Sequence, residues 1–141
     1  MGPRLMAQTV TGPLGAEGRY WDALVLGHLE LPRCVGCGRW HWPAVWRCGD
    51  CGAWEHEWQP RRLAGEVFAW TRTWHPFAGA EGLEKPFVTV LVTLSDAPIR
   101  LIGVVEGEAV DLRIGAGVIG RIDRTRFGDA AIPAIRWSLA S

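Results

Sequence analysis

The four cysteines of this 141-residue chain stand in two pairs, each with two residues between its members. They are Cys34 and Cys37, followed by Cys48 and Cys51, within the segment CVGCGRWHWPAVWRCGDC. Two thiolates at this spacing hold one metal ion in a knuckle, and the glycine after each pair permits the tight turn that aims backbone N–H groups at sulfur. The spacing therefore predicts one tetrahedral site built from four sulfur atoms.

Tetrahedral coordination by sulfur alone suits two metals, Zn²⁺ and a single iron ion. Because four protein ligands leave no open coordination position, we expect the ion to be structural. We favour Zn²⁺, since an isolated electron carrier would not need the long β-rich segment after the cysteines. The first residues lack the apolar core of a signal peptide, which predicts a cytoplasmic location. In that reducing compartment, paired thiols hold a metal more often than a disulfide.

Tryptophan is concentrated around the cysteines. Each cysteine pair begins a repeat of the form C-x-x-C-G-x-W, and five tryptophans fall between residues 40 and 58. The cysteine ribbon, residues 32–58, is too small to bury five such rings. Some of them should therefore face a partner protein, as aromatic residues at interfaces do. Pro43 and the compact hairpin should project two of the rings outwards. The predicted partner-binding residues are Trp42, Trp46, Trp74 and Phe77.

The chain carries fourteen arginines and a single lysine, Lys85. Arginine stacks on aromatic rings more readily than lysine does, and stacking on the nine tryptophans would explain many of these side chains. Codon usage would produce the same imbalance. Acidic and basic residues cancel to a net charge of +0, which argues against nucleic acid as the partner. The longest apolar run is too short to cross a bilayer.

The order of predicted elements indicates a mainly β protein. Residues 19–31 are typical of a short amphipathic helix with Gly27 as its expected stop. Pro60 should break the chain after the cysteine ribbon. Alternating apolar and polar residues then predict five strands, at 66–74, 87–94, 99–105, about 116–124 and 131–137. Five short strands without a crossover helix favour a five-stranded OB-fold barrel, although an open sandwich has the same pattern. Gly103 is the expected point of a sharp bend.

No set of residues predicts catalysis by this chain alone. All four thiols are assigned to the metal, the serines lie in a turn and in the C-terminal segment, and no glycine-rich phosphate loop is present. We therefore predict no catalytic residues. Two other functions remain open on these observations: a zinc-ribbon and OB protein that binds single-stranded nucleic acid by stacking, and a rubredoxin-like redox carrier.

The order of motifs resembles a known family. YWDALVLGHLEL runs directly into CVGCG, then WPAVWRCGDCG, and GEVFAWTRTWH, PFVTVLVTL, IRLIGVV and RIGAGV follow. This is similar to the acyl-CoA-associated OB-fold proteins that carry an N-terminal rubredoxin-like zinc ribbon, first described as a domain of unknown function. The likeness covers residues 19 to about 137. The chain departs from the family in having Gly49, where a proline often follows the third cysteine.

The resemblance implies an accessory subunit of a thiolase-fold enzyme, of the acyltransferase, synthase or steroid side-chain aldolase type, with a hot-dog-fold hydratase as a further partner. It implies structural zinc on Cys34, Cys37, Cys48 and Cys51, and a role in forming the site where acyl-CoA enters. Basic residues of the ribbon are the expected contacts to CoA phosphates: Arg33, Arg39, Arg47, Arg61 and Arg62. The expected division is a flexible arm at 1–18, helix and ribbon at 19–60, and the barrel at 61–141.

Overall fold

The structure, a computed structural model, describes residues 15–78, 80–127 and 129–140, so most of the arm expected at 1–18 lies outside the described residues. Within these described residues it confirms a mainly β protein with one short helix, a zinc-ribbon region and a closed five-stranded barrel. The chain divides into two compact units, Met1–Arg62 and Leu63–Ser141. Among the described helical residues, no segment has both the length and the apolar character needed to span a membrane.

The helix, α1 (Gly18–Val25), is shorter than the predicted element. Gly27 ends it with a φ of +94°, a conformation that favours glycine. The N–H of Gly27 donates to the carbonyl of Leu24, and the N–H of His28 donates to that of Ala23, which satisfies the last turn. Tyr20, Ala23 and Leu24 are buried. The expected stop at Gly27 is thus confirmed, and the chain continues into a strand from Leu29.

Two strands that the sequence pattern did not predict complete the ribbon unit. They are β1 (Leu29–Cys34) and β2 (His56–Arg61), which pair antiparallel from Leu29 opposite Arg61 to Cys34 opposite His56. Pro60, expected to break the chain, instead lies within β2 opposite Glu30. In a sheet of two strands every strand is an edge, where a residue without an N–H is tolerated. The break expected at Pro60 was therefore wrong.

The barrel unit contains the five predicted strands. They are β3 (Ala64–Thr73), β4 (Phe87–Leu94), β5 (Arg100–Val105), β6 (Gly117–Phe127) and β7 (Ala130–Leu139). They close in the order β3-β4-β5-β7-β6, with β5 and β7 parallel and every other pair antiparallel. Strict alternation in β4 buries Val88, Val90, Val92 and Leu94.

The barrel core depends on one buried indole between two glycines. Trp137 of β7 is 0% exposed. A Cβ on Gly103 would lie 2.7 Å from Trp137 Cδ1 and 2.7 Å from the carbonyl oxygen of Ile135, and a Cβ on Gly120 would lie 2.9 Å from Trp137 Cζ3. Since such distances are too short for real contacts, the neighbouring strands must carry glycine where the ring lies. Gly103 therefore makes room for Trp137.

We expect Gly103→Ala to destabilise the barrel by about 1–3 kcal/mol, because the new methyl group meets backbone and an immobile ring. Gly117→Ala is the matched control, since its Cβ would meet only Ala140 Cβ, at 3.6 Å. That variant should stay within about 0.5 kcal/mol of the native protein. Urea unfolding followed by tryptophan fluorescence measures both. Equal stability of the two variants would show that Trp137 does not require glycine on β5.

Candidate metal centre

The first knuckle begins at the end of β1. Cys34 is the last residue of that strand and is buried, whereas Cys37 lies in the following turn and is exposed. The N–H of Gly38 donates to the carbonyl of Cys34 at 2.9 Å, and the N–H of Cys34 donates to the carbonyl of Arg39 at 2.8 Å. These two bonds close the turn and leave both sulfurs on its inner side.

The second knuckle repeats the first. The N–H of Gly52 donates to the carbonyl of Cys48 at 2.9 Å, and the N–H of Cys48 donates to the carbonyl of Ala53 at 2.8 Å. Again the first cysteine is buried and the second is exposed. Gly38 and Gly52 adopt φ values of +77° and +80°, so both turns need the left-handed conformation. The repeat seen in the sequence is a repeat of structure.

The two knuckles bring the four sulfurs together. All four Sγ atoms lie within 4.8 Å of one another. Cys34 Sγ and Cys51 Sγ are 3.5 Å apart, and Cys37 Sγ and Cys48 Sγ are 3.7 Å apart. Four sulfurs at about 2.3 Å from zinc form a tetrahedron with edges of about 3.8 Å. The donor set and its spacing therefore fit structural zinc, with no position left for a substrate.

The thiols differ in acidity before a metal binds. The backbone N–H of Cys51 contributes most to lowering the pKa of Cys48 to about 5; burial opposes it, and the N–H of Asp50 and the side chain of His41 add to it. At Cys37 the N–H of Arg39 acts to lower the pKa, but burial and the neighbouring thiols raise it to about 12. Cys48 is thus the more acidic of these two thiols, and metal binding requires the ligand thiols to be deprotonated.

The predicted partner-binding residues differ in exposure. Trp42 packs on Tyr20 of α1 with ring centroids 4.2 Å apart, and it is half-buried. Trp46 and Trp74 are both 65% exposed and Phe77 is 58% exposed. Phe77 also meets His75 edge-on at 4.5 Å. Trp42 therefore fixes the metal loop to the helix, while the other three rings present apolar area to solvent.

The arginines proposed for CoA contact have neighbours of their own. Arg39 pairs with Asp50 across the two knuckles, and Arg61 donates to the carbonyl of Pro60 and to Gln59 Oε1. Arg33 and Arg47 donate their Nε–H groups to the carbonyls of Gly38 and Gly52. Arg62 is exposed. The structure thus places Arg33, Arg39, Arg47 and Arg61 against groups of the ribbon itself.

Three features of the site were not predicted. Trp54, the last residue of the second repeat, is 68% exposed and more accessible than any ring that was proposed. The side chain of His41 acts to lower the pKa of Cys48, although its position beside the knuckles indicated only that it was near. Arginine precedes the first cysteine of both pairs, so the repeat extends one residue upstream. That last signal was present in the sequence.

Comparison with known proteins agrees with this site. Residues 21–57 match the family of the ChsH2 rubredoxin-like zinc ribbon domain. A chain of the structure described as "Ltp2-ChsH2(DUF35) aldolase" is similar in fold with a TM-score of 0.71 and 25% identity; the match covers 88% of this chain and 95% of that one. This chain is thus similar to proteins of the ChsH2/DUF35 type in its zinc ribbon and in its fold.

A second solved structure is also similar to this chain in fold. A DUF35-family protein of unknown function from Sulfolobus solfataricus is 18% identical, with a TM-score of 0.61, and the match covers 96% of this chain and 94% of that protein. At this identity the comparison shows the fold alone. No curated protein sequence matches the chain.

We expect Cys48→Ser to remove the zinc and unfold the ribbon, because a hydroxyl is a poor substitute for a thiolate and the segment depends on the metal for its stability. Zinc content and tryptophan fluorescence of the purified variant measure the two effects, and a chelator should reproduce both in the native protein. The barrel unit, which contains no ligand, should keep its unfolding transition. A Cys48→Ser protein that retains one zinc per chain with native fluorescence would contradict the assignment.

Proposed function

We propose that this chain is a non-catalytic subunit that completes an aldolase. The observation that supports this most directly is the match, over 88% of the chain, to the ChsH2 chain of the Ltp2-ChsH2 aldolase. The likeness extends through both the zinc ribbon and the barrel. A subunit with this whole architecture is suited to the same kind of assembly, a hetero-oligomer with an enzyme.

We assign catalysis to the partner. All four thiols converge on the metal centre, and a four-ligand zinc has no position for a substrate. The partner we propose has a thiolase fold and acts on an acyl-CoA thioester, as the family resemblance implies, with steroid or other lipid substrates. A hot-dog-fold hydratase is a further proposed partner. The cytoplasmic location stays a prediction.

The exposed aromatic rings support the proposal that this chain binds another protein. Trp46 and Trp54 in the ribbon unit, and Trp74 and Phe77 in the barrel unit, each expose more than half of their surface. Large aromatic side chains at such exposure are costly in a protein that works alone and are typical of interface anchors. We propose that these four rings are covered in the complex.

The nucleic-acid alternative is less well supported. A single-stranded nucleic acid would need free aromatic faces on the barrel. The guanidinium of Arg100 lies over Phe68 at 3.7 Å and that of Arg72 over Trp70 at 5.7 Å, so one face of each exposed ring on β3 carries a stacked side chain. With a net charge of +0, little electrostatic attraction to phosphates is left.

The test is capture of partners by the tagged full-length chain from its native lysate, followed by reconstitution from purified components. We expect a thiolase-fold subunit in stoichiometric amount, and acyl-CoA cleavage by the complex that neither protein shows alone. Retention of nucleic acid in place of an enzyme subunit would overturn the proposal. So would a captured enzyme whose activity is the same without this chain.

Variants of two tryptophans distinguish a role in partner binding from a role in stability. We expect Trp46→Ala to weaken binding to the enzyme subunit by at least about 2 kcal/mol, a hot-spot effect, while zinc content and thermal stability stay native. Trp42→Ala should instead lower the thermal stability of the ribbon, because it removes the packing on Tyr20. Isothermal titration and thermal unfolding distinguish the two variants. If Trp46→Ala binds the partner as the native chain does, this ring is not part of the interface.

The proposed contact to CoA is tested at Arg39. Its guanidinium and the Asp50 carboxylate are both more than half exposed, so Arg39→Ala should leave the fold intact. If the side chain also reaches a CoA phosphate, KM of the complex for acyl-CoA should rise several-fold while kcat changes little, since the lost interaction is made equally in ground and transition states. An unchanged KM would remove Arg39 from the CoA site.

A further inference from the structure

The two zinc knuckles carry the same arginine in the same geometry. Arg33 precedes the first pair and Arg47 the second, which extends the repeat to R-C-x-x-C-G-x-W. Arg33 Nε donates to the carbonyl of Gly38 at 2.7 Å, and Arg47 Nε donates to that of Gly52 at 3.1 Å. Their guanidinium groups lie over Trp40 at 5.4 Å and over Trp54 at 5.7 Å.

Each of these carbonyls belongs to the peptide group that bonds a sulfur. The carbonyl of Gly38 and the N–H of Arg39 form one peptide plane, and that N–H donates to the Cys37 sulfur. The carbonyl of Gly52 and the N–H of Ala53 form the equivalent plane, whose N–H donates to the Cys51 sulfur. A single peptide group therefore connects each arginine to the exposed second cysteine of its knuckle.

We propose that Arg33 and Arg47 are positioning residues that act through one peptide group on the metal-bound sulfurs of Cys37 and Cys51. A cation at the carbonyl end of a peptide polarises it and strengthens the hydrogen bond that its N–H makes at the other end. The strengthened N–H···S bond holds negative charge on the sulfur and fixes its direction. Groups that bond the ligands but do not contact the metal commonly govern how tightly the metal is held.

Arginine is suited to this place by its shape as well as its charge. A Cβ on Gly38 would lie 3.4 Å from Arg33 Nη2, and a Cβ on Gly52 would lie 3.1 Å from Arg47 Nη2, so the guanidinium lies directly against each glycine. The same glycines need a positive φ. The planar group thus packs on the turn, stacks on a tryptophan and still donates its Nε–H in plane.

The test measures zinc transfer from the full-length protein to a chromophoric chelator. We expect Arg33→Met and Arg47→Met each to speed zinc release about tenfold, because methionine keeps an apolar stem but has no donor and no charge. Arg33→Lys and Arg47→Lys should recover much of the loss, since lysine restores a charged donor. Arg19→Met is the matched control, because Arg19 pairs with Glu30 at 3.0 Å and has no bond to a knuckle.

Spectra of the cobalt-loaded protein distinguish an effect of the arginines on sulfur charge from a role in packing alone. In protein loaded with Co²⁺, the sulfur-to-metal charge-transfer band reports the charge on sulfur, and it should shift in the two Met variants and return towards the native position in the Lys variants. Zinc release and cobalt spectra equal to those of Arg19→Met would overturn the proposal. If a Met variant retained no metal, the Lys variants decide: metal bound near native strength supports the proposal, and loss of metal in them as well refutes it.

Discussion

Coordination of one metal by four sulfurs is the constraint on which the ribbon depends. Across residues 35–55, all of which the structure describes, the only ladder contact is the isolated bridge between Arg33 and Trp40. The apolar core of this unit consists of a few side chains of α1 and β1, which bury too little area to stabilise a segment of this size. A structural zinc contributes on the order of 10 kcal/mol. An ion held by the four sulfurs would fix the spacing of the two knuckles and so support their hydrogen bonds.

A loop held in this way can present large rings at low entropic cost. Trp46 directly precedes Arg47 and the second knuckle, and Trp54 follows two residues after Gly52, so both are attached to backbone that the metal fixes. A ring on a rigid loop loses little freedom when it is covered, and more of its contact energy is retained as affinity. For the subunit role that we propose, the metal would thus have a physical purpose, which is to keep Trp46 and Trp54 in one conformation for the partner.

Sequence patterns predicted the features that depend on residues close together in the chain. Cysteine spacing identified the metal site, and alternation identified β4, because every second residue of FVTVLVTL is buried. The strands β1 and β2 were not predicted. Each has only six residues and contains a proline, Pro32 or Pro60, and the two strands that pair lie far apart in the chain. Trp42 and Trp46 lie four residues apart in one loop, but Trp42 packs on Tyr20 whereas Trp46 is 65% exposed. Spacing carries no information on such a contact.

The preference for arginine over lysine has a structural explanation at several positions. Five guanidinium groups lie over aromatic rings: those of Arg33, Arg47, Arg61, Arg72 and Arg100. Trp40 carries two of them, from Arg33 and Arg61. A lysine ammonium can approach a ring but cannot lie flat on it while donating in the same plane. Codon usage alone does not account for two arginines at equivalent places in two knuckles, each bonded to the same carbonyl of its turn. The shared geometry of the two turns does, because both use an Nε–H donor on a planar guanidinium.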